Sequence, residues 1–212
     1  MPRERLRLRP PRDEDFPLIS RWISADSAGA AYTGDVGENV SPERIRELHV
    51  SGAVNYLMID VPGLGAVGLV NWGHRGHSRA YAIAIVLGEE SHWQSGYGAE
   101  AFVRLIDHLF QQLDAWRVEI TTASYNPYTI PAFARLRLTI EGVLRDYFYI
   151  DGDYHDATVW SLIRPEYFAA IDQGDPFGAA PFAPAVPPEA KAKARAALAS
   201  YLSGTPNASW LR

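Results

Sequence analysis

The residues best suited to hold a ligand lie in one short stretch, WQSGYGAEAF, residues 93–102. Gly96, Gly98 and Ala101 follow the spacing G-x-G-x-x-A, between a polar turn and a helical pattern. A dinucleotide site would need the first glycine directly off the first strand, and an acid about 20 residues later at the end of the next strand. Here eight residues, Gly88–Ser95, part the apolar strand from Gly96, and several strands precede it. No strand ends in a suitable acid; Asp114 sits at a helix end. A second use is a phosphate cradle. The backbone N–H groups of Gln94, Ser95, Gly96, Tyr97, Gly98 and Ala99 would point at an anion, favoured by the helix dipole. A third is a plain helix start in which the glycines only turn the chain. Elsewhere, NWGHRGHSRAY carries His74 and His77, with His92 further on. A metal needs a third ligand in fixed geometry, so these read as solvated loop histidines and no metal is expected.

Elements must position that loop. RLRLRPP alternates as a first strand, and RDEDFPLISRWIS has Phe16, Ile19 and Trp22 at helical spacing. SPERIRELHVSG is a helix capped by Ser41, with Pro42 first and Glu43 near its positive end. NYLMIDV and GAVGLVNWG are strands joined by PGLG; RAYAIAIVLG is apolar on both faces and so central. After the loop, GAEAFVRLIDHLFQQL carries one stripe of Phe102, Leu105, Ile106, Leu109, Phe110 and Leu113. WRVEITTAS is a strand, NPYTIPAFARLRL a short helix, and residues 141–163 a hairpin with an Asp-Gly turn at 151–152. The order β-α-α-β-β-β-α-β-α-β-β is a mixed α/β (α+β) domain.

That domain is expected over residues 1–169. Residues 170–212 then hold a Pro/Ala/Gly-rich linker, expected as a surface strap, and an Ala-rich helix over about 188–203, closed by Gly204. Its thin apolar stripe is marginal alone, so docking on its own domain or a second subunit should bury Leu198, Tyr201 and Leu202. The 212 residues carry a net charge of −5, which argues against nucleic acid. The absence of cysteine excludes disulfide and thiolate chemistry. No apolar run approaches a membrane span and no signal core opens the chain, so a cytoplasmic protein away from membranes is expected.

AIAIVLGEESHWQSGYGAEAFVRLIDHLF resembles the coenzyme A-binding segment of the GNAT acyltransferases, above all their RimJ/RimL branch, through His92, Trp93, Gly96, Tyr97, Gly98, Glu100 and Ala101. LRLRPPRDEDFPLISRW resembles the family's opening strand and helix, Asn126 its Asn after the following strand, and residues 141–163 the branch's closing hairpin. The resemblance implies a GNAT fold: a central, mostly antiparallel sheet with splayed central strands, flanked by helices. It implies an acetyl-CoA or other acyl-CoA donor whose pantetheine arm lies in the splay. Backbone groups of Val86, Leu87 and Gly88 would meet that arm, with one N–H polarising the thioester carbonyl. The amides of 94–99 would take the pyrophosphate, and Asn126 would join the donor site. The acceptor would be a small-molecule amine or a protein N-terminal amine, attacking directly.

The chain departs from the family pattern in four places. Trp93 stands where the superfamily has Arg or Gln. Gln94-Ser95 replaces Gly-Lys or Gly-Arg, so the loop has no cation. Phe133 stands for the usual acid Tyr, which passes the acid role to Thr129, where branch members carry Ser. Arg137-Leu138 replaces Gly-Phe, and Phe148 stands where a relative has a base Glu. Candidate bases lie on the hairpin: Asp146, Tyr147, Asp151, His155 and Asp156, of which Asp156 matches the branch's Tyr-His-Asp. Asp156 is equally a structural hydrogen-bond former at a strand start, Glu100 equally a dipole partner. Water-mediated deprotonation needs no single base. Trp72, Tyr81, Tyr125, Tyr147 and Tyr149 either wall an acceptor site or fill the core. Two rival readings follow. A phosphopantetheinyl acyl carrier protein replaces CoA as donor, or the chain is a non-catalytic acyl-CoA- or partner-binding module. GNAT relatives often dimerise, and a strapped helix would be one way to form a homodimer.

Overall fold

The computed structural model describes residues 5–25, 27, 29, 32, 39–76, 79–150, 152–173 and 186–203. His77, Asp151, Gly204 and most of the expected strap lie outside the described residues. The chain divides into two compact units, residues 1–179 and 180–212.

The first unit holds seven strands: β1 (Arg7–Arg9), β2 (Asn55–Val61), β3 (Gly65–His74), β4 (Ala80–Leu87), β5 (Arg117–Ala123), β6 (Thr139–Ile150) and β7 (Asp153–Ile163). They form one sheet in the order β1-β2-β3-β4-β5-β7-β6. Five helices accompany them: α1 (Phe16–Trp22), α2 (Pro42–Val50), α3 (Tyr97–Asp107), α4 (Thr129–Arg135) and α5 (Arg164–Asp172). Every strand pair is antiparallel except β4 with β5. This is the mixed, mostly antiparallel sheet expected.

Alternation along the strands serves two apolar layers. On β2, Tyr56 and Met58 face α1 and α2 through Phe16, Ile19, Trp22 and Ile45, while Ile59 and Val61 join the layer containing α3. On β4, Val86 belongs to the first layer, and Tyr81 and Ile83 to the second, which is why β4 is apolar on both faces. Ser41 caps α2 as expected, its hydroxyl accepting from the Arg44 N–H at 3.3 Å.

Two elements differ from expectation. The α3 stripe is buried through Phe110, but Leu113 is exposed. The helix widens into a π turn over His108–Gln112 and ends, so Leu113 falls out of phase with the stripe. α5 was not anticipated and runs across the expected 169/170 division. Pro165 sits in its first turn, the Glu166 carboxylate accepts from the Ile163 N–H at 3.1 Å, and the fully buried Tyr167 ring stacks on Phe110 at 4.7 Å. In the second unit, the helix α6 (Pro188–Ser203) forms where expected. Within it, Leu198 and Tyr201 are exposed and Leu202 is half-exposed.

His49, in the last turn of α2, lies between the Phe16 and Tyr56 rings at 6.2 and 6.1 Å. Its Nδ1 accepts from the Tyr56 N–H, which requires a neutral ring. Burial pushes its pKa below the ordinary 6.5. A depressed histidine pKa leaves stability intact above 6.5 and lowers it as pH falls below that value, because the unfolded chain then binds a proton the folded one resists. The melting temperature should fall between pH 7 and pH 5.5, and His49→Gln should flatten that slope.

Candidate active site

The sheet opens at its centre. β4 and β5 pair only through Ala80–Ala82 against Arg117–Glu119. Beyond that, β4 keeps only β3 as partner and β5 only β7. The splay inferred from resemblance is therefore present. A cavity of about 370 Å³ fills the opening, lined from β4 by Ile85, Val86 and Leu87. The 93–99 loop lines it through Trp93, Gln94, Gly96, Gly98 and Ala99, and the segment entering α4 through Asn126 to Thr129.

Each glycine of the loop has its own reason. Gly96 begins α3 with φ +83°, a conformation that side chains disfavour. Gly98 packs against Leu87, and a Cβ there would stand 3.4 Å from the Leu87 side chain. The first N–H groups of a helix have no acceptor within it. Two of the six amides expected to face an anion are used locally: the Tyr97 N–H by the Ser95 hydroxyl at 3.1 Å, the Ser95 N–H by the His92 carbonyl at 3.1 Å. Neither Ser95 nor Tyr97 lines the cavity. Of the six residues, Gln94, Gly96, Gly98 and Ala99 line the cavity. Gly88 also leaves the set. Its N–H donates to Val67, it lines no part of the cavity, and a Cβ would overlap the Trp22 indole at 2.0 Å. Glycine is required there for packing. The Leu87 carbonyl accepts from the Trp93 indole N–H at 3.2 Å, which ties the loop to the open edge.

Asn126 is 3% exposed, and its amide is fully engaged. The Nδ2 group donates to the Tyr32 carbonyl and the Thr122 hydroxyl, both at 3.1 Å, while Oδ1 accepts from the N–H groups of Tyr128 and Thr129. It positions the start of α4 and has no hydrogen left for a ligand. The Thr129 hydroxyl stands at the cavity wall, 3.0 Å from the Thr122 hydroxyl. Thr122, on β5, was not singled out in the sequence, since a lone threonine in a strand pattern carries no signal. Tyr32 and Tyr128 were missed as well. They pack edge-on with Trp93 at centroid distances of 5.3 to 5.6 Å and form an aromatic wall of the cavity.

Several expected residues lie elsewhere. Trp72 and Tyr81 are buried core residues against His108 and His74, at 5.4 and 4.7 Å, and do not line the cavity. Tyr147 and Tyr149 are exposed on β6, also off the cavity. Tyr125 packs on His155 at 4.9 Å. Asp156 is engaged structurally: its Oδ1 accepts from the Asp146 N–H at 2.9 Å, pinning a bulge in β6 where Asp146 takes φ +51°. Phe133 is a buried cavity wall stacked between Phe102 and Trp160, and Phe148 is buried in a small apolar cluster, so neither position offers an ionisable group. Glu100 accepts from Arg104 one turn along α3 at 3.0 Å.

A family model described as Acetyltransferase (GNAT) domain matches residues 5–139. The chain belongs to the GNAT acetyltransferase family. It is 30% identical over 173 residues to "Uncharacterized N-acetyltransferase p20" of Bacillus licheniformis, covering 77% of this chain and 96% of that one. Among solved structures, spermidine N-acetyltransferase from Vibrio cholerae in complex with CoA and spermine is similar with TM-score 0.68 at 20% identity, over 77% of this chain and 98% of that chain. RimL, the ribosomal L7/L12 alpha-N-protein acetyltransferase in complex with CoA, is similar with TM-score 0.63 at 21% identity, over 74% of this chain and 93% of that chain. As a GNAT acetyltransferase the protein is an enzyme, and the seven-stranded split sheet is that family's architecture. Among the described residues, no helix is long and apolar enough to cross a membrane.

Asn126→Ala should leave two α4 amides and the Thr122 hydroxyl without their bonds. The expected cost is about 2 kcal/mol of stability in urea titration, together with reduced turnover even at temperatures where the variant is folded.

Proposed function

We propose that this protein transfers an acyl group, acetyl in the first instance, from coenzyme A to a primary amine by direct attack. The observation that carries the reading is the split between β4 and β5, where an open strand edge and Gln94, Gly96, Gly98 and Ala99 of the loop and helix start line one cavity. An extended, amide-bearing pantetheine arm satisfies the strand edge, and a pyrophosphate satisfies the amides. The solved relatives in complex with CoA support the donor. One is a spermidine N-acetyltransferase and the other an alpha-N-protein acetyltransferase, which supports an amine acceptor.

Residue roles follow from the hydrogen bonds. Asn126 donates to Thr122. The Thr122 and Thr129 hydroxyls share a bond in which either can donate; with Thr122 as the donor, the Thr129 proton is free for the cavity. In the reaction the amine nitrogen bonds the thioester carbon and the carbon–sulfur bond breaks. The Thr129 hydroxyl hydrogen-bonds the departing thiolate, which takes up a proton. Asp156 is held in the β6 bulge, so the ammonium proton leaves to solvent. Trp93, Tyr32 and Tyr128 wall the acyl and acceptor end; Trp72, Tyr81, Tyr147 and Tyr149 have no part in it.

Gly98→Asp places a carboxylate among the cradle amides. CoA affinity by calorimetry should fall at least about tenfold, with the circular dichroism spectrum unchanged. Thr129→Val should lower kcat about 10- to 100-fold with little change in CoA binding, and Thr129→Ser should keep most activity. Unchanged CoA affinity in folded Gly98→Asp rejects the donor site. Turnover from an acylated carrier protein that free CoA does not inhibit would favour the carrier as donor.

A further inference from the structure

The loop from Gly88 to Ala101 contains no Lys or Arg, and it carries Glu89, Glu90 and Glu100. Within the loop, neutral amides would hold a doubly charged group beside three carboxylates, and a cation that lines the cavity, Arg135, comes from α4 on the other wall. The fold brings a cation to the loop from ninety residues away. Arg5, just ahead of β1, donates from Nη2 to the Ser95 carbonyl at 2.8 Å. Its guanidinium lies over the Tyr97 ring at 5.5 Å. Both of its terminal nitrogens stand 3.8 Å from the point where a Cβ on Gly96 would sit.

We infer that Arg5 is the pyrophosphate-neutralising side chain of the donor site, replacing the cation that the loop itself lacks; this rests on the CoA-donor reading above. The position is built. Leu6 beside it is fully buried in the core, and β1 is tied to β2 by Arg7 and Arg9, which both bond Asp60. Arg9 is further locked to the buried Asp15 by two bonds. Of these three arginines, Arg5 is the one that reaches the loop; it does not itself line the cavity and stands beside Gly96, which does. Glu100 is hydrogen-bonded to Arg104 at 3.0 Å and forms only a longer ion pair with Arg5, at 3.9 Å, which takes none of Arg5's N–H groups. Arg21 stands 3.8 Å from Glu89 on the other flank. One of Arg5's five N–H groups goes to Ser95, and the others remain to meet phosphate oxygens in the fork geometry that arginine offers. A Cβ on Gly96 would be in ordinary contact with the guanidinium, so a side chain longer than alanine there would crowd Arg5.

The specific consequence is a preference for donors that carry the diphosphate. Calorimetry would compare CoA with pantetheine, which has the same thiol arm and no phosphate, on the full chain and its variants. Wild-type protein should bind CoA more tightly than pantetheine, and the difference should shrink as salt rises. Arg5→Gln should weaken CoA about 5- to 20-fold and leave pantetheine affinity unchanged. Arg5→Lys should keep a large part of the CoA affinity. Arg5→Gln combined with Ser95→Lys, which returns a cation to the loop, should restore it. Equal CoA affinity for wild type and Arg5→Gln overturns the assignment, as does a parallel loss for both ligands, which would mark Arg5 as a structural clamp. Failure of the wild-type protein to bind CoA at all would instead remove the donor reading on which the assignment stands. Should Arg5→Gln not fold, Arg5→Lys decides: its salt dependence for CoA should match wild type, and a flat one overturns the assignment.

Discussion

The site depends on a strand pairing that stops early. β4 and β5 hold each other over three residue pairs and then diverge. A buried backbone group without a partner is costly, so the edge of β4 from Ile83 to Leu87 requires water or a ligand to complete it. The divergence is held from both sides. β4 is locked to β3 through Leu87, and β5 to β7 through Ala123. Phe102, Phe133 and Trp160 pack in series below the opening. Closing the gap would mean breaking one of those ladders or expelling those rings.

The loop after β4 extends the same principle from sheet edge to helix end. Gln94, Gly96, Gly98 and Ala99 line the cavity, while the Ser95 hydroxyl and the His92 carbonyl absorb the amides of Tyr97 and Ser95, which do not. The Trp93 indole holds the loop to Leu87, which fixes the distance between open edge and open helix end. Across the cavity, Asn126 spends all of its hydrogen-bonding capacity on keeping α4, Thr122 and Thr129 in place. The cavity wall combines positioned backbone, hydroxyl and aromatic groups, with Arg135 of α4 among its lining.

Much of this was legible in the sequence because it rests on local pattern. The period of β2, the apolar run of β4, the Ser41-Pro42 helix start and the α3 stripe each specify an element within a dozen residues. Gly96 and Gly98 mark the loop for the same reason. Contacts distant in sequence were not legible. Trp72 and Tyr81 look like any exposed aromatic pair until β3 and β4 carry them into the core. Gly88 reads as a ligand-facing glycine until Trp22 is packed on it. Asp156 has the residue type of a base, and only the β6 bulge shows its carboxylate bonded to Asp146. Tyr32 lines the cavity from the segment after α1, Thr122 bonds Thr129 from β5 and Arg5 bonds Ser95 from the chain start, and no spacing rule links them to Gly96. α5 was signalled by Pro165 and Glu166, but its low amphipathic contrast hid it.

The central claim is that the split between β4 and β5, with the α3 start above it, is the coenzyme A site. Amide chemical-shift mapping of the ¹⁵N-labelled full chain on titration with CoA tests it most directly. The resonances of Ile85, Val86, Leu87, Gln94, Gly96, Gly98 and Ala99 should move together with one saturation curve, with smaller changes at Ser95 and Tyr97, whose amides are bonded within the loop. Saturable shifts confined to another surface, or no shift along β4 and the loop at millimolar CoA, would contradict it.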